Sequence, residues 1–242
     1  SLFIIFSPAK ADIKVVASIK PIHSLASYLM DGVGKPDLIV DGYASPHGFA
    51  MKPSHAKMLQ NADLIFWIGE DLESFLEKPL NSIAKKAEKI ELMEIKGLNK
   101  LEFRERNIFE GHDEHGHDEH KEHGHKEDKH DDHHEHAHGE HDPHIWLDPM
   151  NAKVILKEMA EHLIENDQKN ASTYKANLKK ALKDLDKLTK KVKSELNKDF
   201  KSIVFHDAYQ YFEKRFDVNV LGAFTVNTDV MPGAEQLSEI RE

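Results

Sequence analysis

Three histidines stand where side chains at the ends of strands and loops could share an ion. His47 lies in YASPHGFAMKPS just past an apolar run of strand length, His206 closes the run SIVFH, and His144 opens HIWLDP. Neutral imidazole offers a lone pair, and open α/β sheets bind ligands beyond the carboxyl ends of their strands, where His47 and His206 both fall. Three imidazoles meeting in a cleft between two domains would suit a borderline-soft dication, Zn2+ above all. Taken singly, each has a plainer alternative, because a lone strand-end histidine is more often a hydrogen-bonded structural residue. His23, His55 and His162 fall inside helical patterns without a placed partner and read as structural.

The remaining histidines are concentrated in one tract. From His112 to His144, 33 residues hold 13 His, 12 Asp or Glu and 3 Lys, a local charge of −9 out of −10 for the whole chain. Everything else is close to neutral, with no basic surplus for nucleic acid or an anionic membrane. Most of the tract has too few apolar groups to offset the entropy of folding. A disordered loop over 112–141 is therefore expected, with neutral imidazoles and carboxylates that bind several zinc ions weakly. A solvated spacer with incidental metal affinity is the alternative.

The elements that must carry the three separate histidines can be read from periodicity. IKVVASI (13–19), DLIVD (37–41), DLIFWIG (63–69) and KIELMEI (89–95) are short apolar runs separated by helical stretches at 24–31, from Pro53 or Ser54, and at 72–87. Strand and helix alternating in this way predict a parallel sheet with right-handed crossovers. Asp148 before Pro149 predicts a helix start, an N-cap followed by proline at the first helical position. Beyond it, Tyr174, Leu178, Leu182, Leu185, Leu188, Val192 and Leu196 recur every three or four residues, one apolar stripe on a helix over 171–198. A helix that long, about 40 Å at 1.5 Å per residue, is better suited to spanning two domains than to one small domain. SIVFH (202–206), a helix over 208–216, VNVLGAF (218–224) and a helix start near Gly233 begin a second α/β unit.

The opening residues SLFIIFSPAKAD read as the tail of a secretory signal peptide over 1–11, with small residues flanking a cleavage point after Ala11. No later run approaches the roughly 20 apolar residues of a membrane-spanning helix. The absence of cysteine excludes disulfides and an acylated amino-terminal Cys. These features predict a mature protein that is soluble in an exported compartment, and it is read as a monomer.

The segments ASPHGFAMKPSHAKMLQNADLIFWIGEDLESFL, DPHIWLDPMNA and VFHDAYQYFEKRFDVNVLGAFTV, in this order, resemble the metal-specific solute-binding proteins of ABC transporters, most closely their periplasmic zinc-binding branch. The resemblance runs from about Ile13 to Glu242. It implies two α/β lobes with mainly parallel sheets joined by one long rigid helix: an amino-terminal lobe over 12–147, a helical connection over 148–199, and an incomplete second lobe over 200–242. It implies His47, His144 and His206 as ligands of one transported Zn2+, a zinc ABC permease as partner, and the periplasm as the exported compartment. A His-rich acidic loop is typical of the zinc branch, whereas manganese relatives usually replace one His by a carboxylate, as a harder ion requires.

Two features depart from the family pattern. Some zinc members carry Glu immediately before the first His ligand, where this chain has Pro46. Many take a fourth ligand from a carboxy-terminal Asp that this chain does not include, which leaves the fourth position to water, such an Asp or a loop residue. A zinc hydrolase is the rival class, since three His with an open position is also a catalytic geometry. It would need a general base, for which Glu70, Asp71 and Asp207 are the nearest acidic candidates, and the chain has no His-Glu-x-x-His helix. A metal buffer built around the tract would leave two folded lobes unexplained, and the seven Met are too scattered for a copper site. The sequence thus reads as a zinc receptor rather than an enzyme, with a manganese or other dication receptor of the same family as the alternative.

Overall fold

The computed structural model describes residues 12–104, 140–197, 199 and 201–225. The expected signal segment, most of the His-rich tract and the helix start near Gly233 lie outside the described residues. Strands β1 (Val15–Ala17), β2 (Asp37–Leu38), β3 (Leu64–Trp67) and β4 (Glu88–Glu91) form one sheet in the order β2-β1-β3-β4. All its pairs are parallel, with Val16 opposite Ile65 on one side of β1 and opposite Asp37 on the other. Every residue of β1 and β3 is buried, as happens when helices cover both faces of a parallel sheet. The winding reverses between β1 and β3, so the crevice for a ligand opens at the carboxyl ends of these strands.

The helices follow local signals. Pro21 in the first turn of α1 (Lys20–Leu29) and Pro53 opening α2 (Pro53–Asn61) lack only N–H groups that have no partner inside a helix. For that reason α1 starts ahead of the expected residue 24. Pro79 lies inside α3 (Glu70–Ser82), which closes at Ser82 rather than 87. Asp148 caps α4 (Pro149–Asn166), its carboxylate accepting from Met150 N–H at 2.8 Å. After a 3-10 turn, α5 (Ala171–Glu195) runs for 25 residues, about 38 Å. Its apolar stripe seats only in part: Tyr174 is fully buried and Leu178, Leu182 and Leu185 pack against the core, but Leu188 is half exposed. Asn177 on α5 donates to the carbonyls of Leu29 and Asp31 and so closes the carboxyl end of α1. No helix among the described residues is long and apolar enough to cross a membrane.

A second parallel sheet pairs β5 (Lys201–His206) with β6 (Asn219–Thr225), connected by α6 (Gln210–Phe216). Helix α6 locks this unit to the first. Tyr211 is buried in the first unit's core; its hydroxyl donates to the carbonyl of Asp142 at 2.8 Å and accepts from Leu101 N–H at 3.0 Å. Arg215 binds both carboxylate oxygens of Asp148 at 2.7 Å, and Arg104 reaches Glu213 at 2.7 Å. His141, the last residue of the expected loop, bridges Glu102, and Asp142 N–H donates to the carbonyl of Leu101.

Asp148 is buried, so removing its guanidinium partner strands a charge. Arg215→Leu is expected to lower unfolding free energy by about 3 kcal/mol. Asp148→Asn, which keeps a capping oxygen, should lose less. Urea unfolding midpoints of the two variants check this ordering.

Candidate metal centre

His47 belongs to the loop 39–52, which links β2 to α2. Its backbone N–H donates to Ser45 Oγ at 3.1 Å, and Gly48 turns the chain at φ +72°. Two residues on, the Phe49 ring packs between His55 of α2 and Phe75 of α3, with centroid distances of 5.4 and 5.2 Å. That apolar anchor holds the loop over the crevice. His55 has a separate task, because its Nδ1 accepts from Lys52 N–H at 3.1 Å and caps α2.

His144 is the most enclosed of the three, at 5% exposure. Asp142 accepts from both its backbone N–H at 2.9 Å and its ring Nδ1 at 2.6 Å. An ionised carboxylate there fixes the proton on Nδ1 and leaves the Nε2 lone pair for an ion, the usual outer-shell arrangement of a metal-binding histidine. Gln210 on α6 reaches the other oxygen of Asp142 at 3.4 Å.

His206 ends β5 and faces the other two rings. Burial, followed by the neighbouring His144 and His47, pushes its pKa down from 6.5 to about 3, so the ring is neutral over the physiological range. The next residue, Asp207, is pushed up to about 6 by burial against the pull of Arg104, whose guanidinium lies 3.4 Å away.

The three rings form a compact triangle, with centroids 5.9 Å apart for His47 and His144, 5.1 Å for His47 and His206, and 5.0 Å for His144 and His206. One ring nitrogen from each lies within 4.8 Å of the other two. Nitrogens bound to one tetrahedral zinc are about 3.4 Å apart, so small side-chain rotations close the difference. Among the described residues the group contains no carboxylate. Of the acidic candidates, Glu70 and Asp71 occupy the first turn of α3 and Asp207 is engaged by Arg104. Spacing alone did not single out Asp142, although an Asp two residues before a candidate ligand is the signal that could have found it. His23, with Nε2 3.0 Å from the Pro36 carbonyl, stays outside the triangle, as do His55 and His162.

Two parallel α/β sheets with a long helix between them in the chain, and a ring of donors drawn from both units, define a solute-binding protein of the metal-receptor class. The chain belongs to the ZnuA family, periplasmic component A of the zinc-uptake complex, whose pattern matches residues 15–242. The high-affinity zinc uptake system protein ZnuA of Brucella abortus (strain 2308) is 45% identical over 240 residues, covering 94% of this chain and 72% of that protein. The protein of the same name from Paracoccus denitrificans (strain Pd 1222) is 40% identical over 240 residues, 97% of this chain and 74% of that one. A crystal structure of ZnuA matches with a TM-score of 0.73 at 22% identity, over 95% of this chain and 76% of that chain. A zinc-bound ZnuA deletion mutant matches with a TM-score of 0.72 at 22% identity and the same coverage. At that identity the two structures speak to the fold, and they bear out the α/β class read from the sequence.

The low pKa of His206 fixes the sign of a stability effect. Between about 3 and 6.5 the unfolded chain binds a proton that the folded ring refuses, so this residue makes stability fall as pH drops through that window. Fully buried Glu73 acts oppositely: burial raises its pKa from 4.5 to about 7, so its contribution grows as pH drops through that range. The metal-free wild type minus His206→Phe, followed by urea unfolding from pH 7 to 4, isolates the histidine. The difference is expected to move against the wild type as pH decreases.

Proposed function

We propose that this chain is the receptor of a high-affinity zinc importer. It binds one Zn2+ tightly through His47, His144 and His206 between its two α/β units, shields the ion in the periplasm, and yields it to the membrane permease of an ABC-type importer. The observation that carries this reading is the convergence of three imidazoles from three separate segments, their donor nitrogens within 4.8 Å of one another. The family's role in zinc uptake supports it. A donor set of nitrogens favours zinc over manganese, which prefers oxygen. No reaction is assigned, since the cargo leaves unchanged.

The His-rich segment over 112–141 is read from composition as an auxiliary zinc-capture or sensing element. Its weak sites would concentrate ions beside the cleft. Deleting it should lower zinc stoichiometry and slow uptake under scarcity; unchanged values of both would refute the capture role.

Calorimetric zinc titration of the chain, beside the triple variant His47→Ala, His144→Ala, His206→Ala with the tract intact, tests the central claim. Losing one tight site while weak sites persist is the expected result; tight binding that survives the triple change overturns it. Asp142→Asn should weaken the tight site by about 10- to 100-fold, because the ring of His144 loses its anionic partner. Affinity should also decline as pH falls below about 6.5, where protons begin to compete for imidazole lone pairs. Equal affinity at pH 5 and 7.5 would rule out histidine ligation.

A further inference from the structure

Away from the cleft, α4 and β4 gather a second set of metal-binding side chains. Glu158, His162 and Glu165 follow one another at four and three residues, which puts them on one face of the last turns of α4. Glu88 opens β4, at the amino end of the sheet, opposite the carboxyl ends where the cleft lies. One oxygen from Glu88, one from Glu165 and one ring nitrogen of His162 all lie within 4.8 Å of one another. Asn166 orients Glu88, donating to its Oε2 at 2.7 Å while bonding the carbonyl of His162 at 2.9 Å.

The histidine is the telling member. Its Nδ1 is sealed from solvent and makes no hydrogen bond, although Glu88 Oε1 is only 2.8 Å away. The oxygen therefore lies off the axis a hydrogen bond needs, a close but misaligned approach like that of two ligands flanking one cation. On its other side, Nε2 is 3.4 Å from Glu158 Oε1. Among the described residues no Lys or Arg pairs with Glu88, Glu158 or Glu165. The carboxyl end of α4 adds the negative pole of its dipole to the same spot.

We propose that Glu88, His162 and Glu165, with Glu158 at the rim, form a second site for a borderline divalent cation such as Zn2+. One imidazole among carboxylates is a harder donor set than three imidazoles, and with Glu88 41% and Glu158 36% exposed the site exchanges its ion with solvent. It is weaker than the cleft and structurally separate from it.

The test is diffraction from crystals of the whole chain equilibrated with zinc, recorded on both sides of the zinc absorption edge. Anomalous density is expected among Glu88, His162 and Glu165, and His162→Gln or Glu165→Gln should abolish it while leaving density at the cleft. Cleft density without density at α4 overturns the proposal, as does α4 density that survives both substitutions. Density at the cleft is read separately and bears on the receptor reading alone.

Discussion

A buried aspartate must find donors for its charge, and those of Asp142 come from both halves of the chain. Its carboxylate takes two hydrogens from His144 and a longer contact from Gln210 of α6, while its own peptide group joins Leu101 and Tyr211. At 1% exposure, no water can stand in for any of them. The orientation of one imidazole, the path of the backbone from Leu101 to His144 and the seating of α6 are thus solved together. Loss of one of these contacts leaves the others with an unsatisfied buried group.

Around that point the remaining parts are positioned by ordinary packing. The doubly wound order of the first sheet aims its loops at one crevice, and Phe49 pins the loop that carries His47. Helix α6 brings β5, and with it His206, to the same place through Tyr211 and the Arg104 and Arg215 ion pairs. Those pairs include Asp148 and Glu213, both largely buried, so they specify a docking geometry as well as holding it. Flat apolar contact would allow α6 to slide, whereas a bidentate guanidinium grip allows one pose.

Legibility followed the range of the interaction. The parallel strands, the proline-led starts of α2 and α4 and the stripe on α5 are local patterns, and each was readable within a few residues. The three histidines stood out in the sequence by their motifs, and the structure brings their rings together. What escaped was whatever depends on distant partners: Tyr211 is more than a hundred residues from Leu101, and Arg215 is 67 from Asp148. His162 likewise looked like an ordinary helical residue, because Glu88, 74 positions earlier, becomes its neighbour only when β4 packs beside α4. His141, which composition places in the tract, pairs with Glu102, a contact that composition gives no sign of.

The double engagement of Asp142 ties two equilibria together. Its carbonyl holds Tyr211 and its carboxylate holds His144, so work done on one grip is felt at the other. Reciprocity requires that an ion which draws the His144 ring inward also tightens the hold on α6, by the factor with which a seated α6 improves the ring as a ligand. Were an ion held at the triangle, prying the two halves apart would therefore loosen it without any contact to the ion itself.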